Sequence, residues 1–168
     1  MTRTEQILSK LVELSKNSEK KNRALIKELK RIAGPETDAL FHNAHSKITE
    51  SINCLECANC CKTISPIITN KDIERISRTL KVRPSDLVNQ YLKVDEDGDY
   101  VFRQQPCPFI QSDNHCSIYE YRPKACRDYP HTDRKKMHQL YNLCLQNSKV
   151  CPIVYLVLDD IRKSILKA

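Results

Sequence analysis

The chain is poor in the residues that build turns. Its 168 residues include only two glycines, and its larger apolar aromatics are limited to three phenylalanines. A turn-rich β-sandwich needs many tight connections, so this scarcity argues against one. Long apolar runs are missing as well. The longest, Ile153 to Leu158, falls far short of the roughly 20 residues a spanning helix requires. Residues 1–20 (MTRTEQILSKLVELSKNSEK) are studded with charge and contain no apolar segment of the kind a secretory leader uses. No internal repeat, low-complexity tract or interdomain linker interrupts the chain. These absences lead us to expect a cytoplasmic protein with no membrane segment. At this length a single domain can bury about 70% of its unfolded surface, which gives it a substantial core.

Cysteine is what the chain has in quantity. There are nine, four of them within eight residues: Cys54-Leu-Glu-Cys57-Ala-Asn-Cys60-Cys61. The others are Cys107, Cys116, Cys126, Cys144 and Cys151. Thiols this dense would oxidise or scramble unless something held them. Disulfides belong to oxidising compartments, whereas clustered cysteines in a reduced one usually mean metal. The odd total leaves one cysteine over in any all-disulfide scheme, and adjacent Cys60 and Cys61 suit a disulfide framework badly. Metal is therefore the expected partner of the cluster.

The formal charge is +7. Lys and Arg read as spread through helices, which permits a protein partner with acidic surface but does not demand nucleic acid, and no nucleic-acid partner is expected. The short runs Lys20-Lys21 and Arg134-Lys135-Lys136 read as solvated helix faces.

Periodicity makes the fold mainly α. Ile7, Leu8, Leu11 and Leu14 recur at helical spacing, as do Leu25, Ile26, Leu29 and Ile32, and Gly34-Pro35 closes that stretch. Leu40, Phe41, Ala44, Ile48 and Ile52 form a second stripe leading into Cys54. Were that helix to continue, residues 54, 57, 60 and 61 would fall within an arc of about 120°. Thr69 is placed to cap a helix bearing Ile73, Ile76 and Leu80, and Pro84 or Ser85 starts another with Leu87, Val88, Tyr91 and Leu92. Asp97-Gly98 marks a turn with Tyr100 and Phe102 behind it, which suits a short β-hairpin. The acidic run around Gly98 lacks the order of an EF-hand and its terminal glutamate, so it reads as an exposed turn. From Pro152 to Lys167, Ile153, Val157, Ile161 and Ile165 define a core-facing helix with Cys151 at its start.

The spacing of the cysteines narrows the chemistry. A zinc ribbon uses two separate C-x2-C pairs, and the second pair is absent. C-x2-C-x2-C is the opening ligand run of bacterial ferredoxins, whose remaining ligand is a Cys-Pro. Cys107-Pro108 and Cys151-Pro152 are both available for that role, although Cys61 stands where the ferredoxin pattern has a spacer. Adjacent Cys60 and Cys61 do not readily face one ion. A polynuclear cluster, or two neighbouring sites, accommodates them better. Iron and zinc both accept four thiolates.

Three further segments follow the C-x2-C-x2-C-C run. They are Pro106-Cys107-Pro108-Phe109-Ile110, Cys116-Ser-Ile-Tyr119-Glu-Tyr-Arg122-Pro123 and Cys126-Arg127-Asp-Tyr129-Pro130. In this order the set resembles the CxxCxxCC cysteine-cluster family, the YkgJ-type proteins, over about residues 54–152. Members are described as zinc- or iron-chelating, or as iron–sulfur proteins. Carried over residue by residue, the resemblance implies Cys54, Cys57, Cys60, Cys61, Cys107, Cys116 and Cys126 as metal ligands, with Cys151 as an eighth. One branch, the flagellin lysine-N-methylases, implies methyl transfer, but those proteins are much longer and this chain shows no glycine-rich loop for S-adenosylmethionine. The expected organisation is one helical domain: N-terminal helices in 1–53, a loop-rich metal-binding region in 54–152 with at most a short hairpin, and a closing helix in 153–168.

Arg122, Lys124 and Arg127 flank two of these cysteines and would offset the charge of clustered thiolates. Tyr119, Tyr121 and Tyr129 read as cover against water. His131 is either a site residue or, more simply, a loop histidine. Cys144, alone on a helix, behaves as a small buried hydrophobe and is left out of the site. Three functions follow: an iron–sulfur protein in electron transfer or in a protein-modifying system, a zinc-stabilised interaction module, or an enzyme with methyltransferase-related activity. The sequence assigns no catalytic residue.

Overall fold

A computed structural model describes residues 1–166 of the chain. It is mainly helical, with one two-stranded hairpin, as the periodicity predicts. In chain order the helices are α1 (Arg3–Leu29), α2 (Gly34–Thr49), α3 (Cys54–Cys57), α4 (Asn59–Thr63), α5 (Asn70–Leu80), α6 (Pro84–Tyr91), α7 (Lys124–Asp128), α8 (Tyr141–Asn147) and α9 (Pro152–Leu166). The strands β1 (Leu92–Val94) and β2 (Tyr100–Phe102) lie between α6 and α7. Lys167 and Ala168, the end of the expected closing segment, fall outside the described residues. None of the described helices is long and apolar enough to cross a membrane. The chain groups into two compact units, residues 1–57 with 130–168, and residues 58–129.

The first unit is built on α1, α2, α8 and α9. A capping box starts α1: the Thr2 hydroxyl accepts from the Glu5 amide at 3.2 Å, and the Glu5 carboxylate accepts from the Thr2 amide at 2.8 Å. Leu11, Leu25, Ile26 and Leu29 of α1 are buried with Phe41, Ala44 and Ile48 of α2 and Ile153, Val154, Val157, Leu158 and Ile161 of α9. Gly34-Pro35 opens α2 instead of merely closing α1, because proline at the first helical turn gives up no hydrogen bond. Asp38 on α2 accepts from the amides of Lys136 and Met137 at 2.8 and 2.7 Å, and His42 Nε2 meets the Arg134 carbonyl at 2.8 Å. These bonds hold the 130–140 segment against α2.

In the second unit Thr69 caps α5 through a reciprocal box with Asp72, and Pro84 sits in the first turn of α6. The hairpin pairs Leu92 with Phe102 and Val94 with Tyr100, and Gly98 takes φ 86° in its turn. Ile68, Ile73, Ile76, Leu87, Leu92, Phe102, Phe109 and Ile118 make the core, and half-buried Cys107 and Cys116 pack at its edge.

Lys and Arg are spread over both units, as expected, but the acids offset them unequally. The first unit carries 17 Lys and Arg against 11 Asp and Glu, while the second is nearly balanced at 11 against 10.

Candidate metal centre

The cysteine run does not continue the preceding helix. α2 stops at Thr49, and the Asn53 side chain accepts from the Leu55 amide at 2.9 Å to begin the short α3. Ala58 then adopts the left-handed conformation, φ 46° and ψ 17°, and α4 starts afresh. This corrects the expected single 120° stripe. A left-handed residue just after a helix ends it, and here alanine takes the place glycine usually fills. Cys54 and Cys57 therefore stand in the first unit, and Cys60 and Cys61 in the second.

The second unit brings Cys61, Cys107, Cys116 and Cys126 within electrostatic reach of one another. The Cys61 thiol is lowered to about 7, chiefly because the Cys60 thiol hydrogen-bonds to it; burial opposes the shift and the Lys62 charge assists it. Burial pushes Cys107 up to about 11 and Cys126 up to about 12, and Cys116 moves the same way. Negative charge on Cys61 raises all three further, and Cys107 and Cys116 add to the effect on Cys126. The Phe109 and Ile110 amides hydrogen-bond to the Cys107 sulfur and the Ile118 amide to that of Cys116, which favours the thiolates.

Backbone ties place these four. The Cys107 amide donates to the Cys61 carbonyl at 2.8 Å. Ile110 and Cys116 form an antiparallel bridge closed by the Gln111 amide on the His115 carbonyl at 2.8 Å, so Cys107 and Cys116 flank one tight loop. Cys126 is set by a buried acid 54 positions earlier, Asp72, which is 1% exposed. Its carboxylate accepts from the Thr69 amide at 3.0 Å and hydroxyl at 2.6 Å, from Arg75 at 2.5 Å, and from the Lys124 amide at 3.0 Å. That last amide opens α7, two residues before Cys126. Arg75 in turn donates to the carbonyls of Tyr121 at 3.2 Å and Arg122 at 2.8 Å. Asp72 thus caps two helices, its own and the one that carries Cys126.

The first unit holds a smaller group. Cys57 and Cys151 are buried and Cys54 is exposed. Burial pushes Cys151 up to about 12; the Val154 and Ile153 amides at the start of α9 favour its thiolate, and charge on Cys54 or Cys57 disfavours it. Cys144 on α8 is 1% exposed and is raised to about 12 by burial alone, with no thiol acting on it.

Of the residues expected around the ligands, Arg122 exerts a field on the site: its charge favours the Cys116 and Cys126 thiolates. The guanidinium also stacks 3.8 Å over the Tyr119 ring. The Lys124 side chain pairs instead with Asp128. Arg127 donates to the Arg122 carbonyl at 3.4 Å. His131 lies in the first unit, half-buried, with φ 67°. Tyr119 and Tyr121 are 43% and 47% exposed and cover little. Sequence reasoning missed Lys62, whose adjacency to Cys61 was its only signal, and missed Asp72 in both of its tasks. Among the described residues no three Cys, His, Asp or Glu side chains converge closely enough to form a finished coordination shell.

A model of the CxxCxxCC family, described as "Putative zinc- or iron-chelating domain", matches residues 53–145. Cys151 lies beyond the matched span. No curated protein and no solved structure matches the chain.

Proposed function

Since the chain belongs to the CxxCxxCC family of chelating domains, we propose that it is a metal-binding protein whose main centre is held by Cys61, Cys107, Cys116 and Cys126, with Cys60 beside them, and carries an iron–sulfur cluster. The observation behind this reading is the mutual electrostatic influence of those four thiols at the edge of one apolar core. Donor chemistry fits such a group. Four sulfurs are available, backbone amides point at two of them, and Arg122 and Lys62 supply positive charge. Burial and mutual repulsion disfavour four bare thiolates together, and a bound cation relieves both penalties. Occupation would require the thiols to close onto the metal. The cluster would supply one-electron transfer, either on its own account or inside a protein-modifying system. The chain's part is to bury the centre, aim the amides at the sulfurs and hold α7 through Asp72.

A second reading rests on the division of the thiols. Charge on Cys54 or Cys57 acts on Cys151, and a second thiol group of this kind suits two zinc ions stabilising an interaction module. Purification without oxygen tests the choice. The iron–sulfur reading expects brown protein with broad visible absorption, iron and acid-labile sulfide, all lost together in Cys126→Ala. Colourless protein with stoichiometric zinc that survives air would replace it with the zinc reading.

A further inference from the structure

The outer face of α1 is a row of cations that the metal site does not use. Lys16, Lys20, Arg23 and Lys27 share an arc of about 60°, and no other residue of 16–29 falls within it. Lys30, the C-cap, and Arg31 extend the row to about 20 Å. All six are exposed, and Leu25, Leu29, Asn22 and Ser18 lie buried on the opposite face. Arg23 pairs with Glu19 at 2.9 Å and Arg31 with Glu28 at 3.0 Å. Among the described residues Lys16, Lys20, Lys27 and Lys30 make no ion pair.

Solubility alone does not explain this pattern. A solvated helix face normally mixes signs, because like charges at i and i+4 repel and opposite ones attract. Here Lys16 faces Lys20, Arg23 faces Lys27, and Lys27 faces Arg31. The helix dipole accounts for cations in the last turn, at Lys27, Lys30 and Arg31, but its effect fades beyond one turn. Lys16, Lys20 and Arg23 lie too far back for it.

The chemistry around the row selects its partner. Protein interfaces centre on apolar and aromatic side chains and are depleted in lysine, and no aromatic residue borders this row. A helix that lies in a bilayer surface sinks a face of Trp, Phe or Leu into the lipid, whereas Leu11, Leu25 and Leu29 of this helix are buried in the protein core. Glu13, Glu19 and Glu28 flank the row, which keeps the positive strip one residue wide. Such a strip fits a single line of anions better than a broad anionic sheet. Lysines are point charges without the planar fork that reads a base edge or a carboxylate. We infer that this face of α1 binds the phosphodiester backbone of a nucleic acid, without sequence preference and independently of the thiol centre.

Fluorescence anisotropy of the full chain with labelled duplex and single-stranded oligonucleotides tests this. Neutralising about four phosphates predicts a slope near −3.6 in log affinity against log salt, roughly a 100-fold loss between 50 and 200 mM salt. Replacing Lys16, Lys20, Lys27 and Lys30 by Gln should abolish binding at the higher salt and flatten the slope. Single Lys16→Gln and Lys20→Gln variants should each reduce the slope by about one. A control with Lys10, Lys21, Lys71 and Lys93 changed to Gln carries the same net charge and should bind almost as wild type. All eight side chains are exposed, and circular dichroism verifies that the helices persist. Three results would each overturn the inference: no binding at low salt, equal loss in the control, or tighter binding to anionic lipid vesicles or polyglutamate than to the oligonucleotides.

Discussion

Asp72→Ala should be among the most damaging substitutions in the second unit outside the apolar core. The carboxylate is buried and accepts from Thr69, Arg75 and the first amide of α7. Removing it leaves Arg75, with 27% of its side chain exposed, opposite two carbonyls without its counter-ion. It also strips an acceptor from the starts of two helices. Breaking a buried pair costs about 3–5 kcal/mol. Arg75 keeps some water and both carbonyls, so the lower end applies, about 3 kcal/mol. For a chain of this size that corresponds to a melting temperature lower by roughly 6–12 °C. Burial raises the Asp72 pKa, but the bonds from Thr69, Arg75 and Lys124 outweigh it and leave the folded value below the ordinary 3.8. A depressed folded pKa means the stabilisation is complete above the unfolded value and disappears as pH falls through the folded one. The gap between wild type and variant in thermal melts should therefore be full at neutral pH and close in acid below 3.8. Equal melting at neutral pH, or a gap that widens with acid, would refute the reasoning.

Cys144→Ala should leave metal per chain unchanged, whereas Cys57→Ala and Cys126→Ala should lower it by elemental analysis, because Cys57 and Cys126 interact with other thiols while burial alone shifts Cys144. Gly98→Ala should cost about 1–2 kcal/mol in chemical denaturation, since nothing within 4 Å obstructs a methyl group and only the φ of 86° resists it.

The legibility of this fold follows from where its determinants lie along the chain. Thr69 as a helix cap, Pro84 at a helix start and Asp97-Gly98 before Tyr100 are local signals, and each stands where it was expected. The break at Ala58 had no such signal. Alanine is the best helix former, and neither glycine nor proline marks the spot. Asp72 shows the same limit in another form. Its capping box could be read from four residues, but its grip on Lys124 spans 52 positions and leaves no local trace. The row of lysines on α1 was legible in principle, because helical spacing alone reveals it. Reading Lys20-Lys21 as a dipeptide hid it, since Lys21 lies off the row and Lys20 on it.

The left-handed turn at Ala58 also changes what the C-x2-C-x2-C-C run means. In an unbroken helix the first three cysteines would line one stripe and compete for one ion. With the turn, α3 directs Cys54 and Cys57 to the group with Cys151, while α4 starts the group completed by Cys107, Cys116 and Cys126. Adjacent Cys60 and Cys61 then have no need to grip the same atom from the same side. Cys61 is the thiol whose charge is felt by the other three, and Cys60 donates a hydrogen bond to it. The density that makes the run conspicuous is thus the meeting of two thiol groups at one strained residue, each drawing its remaining members from a different part of the chain.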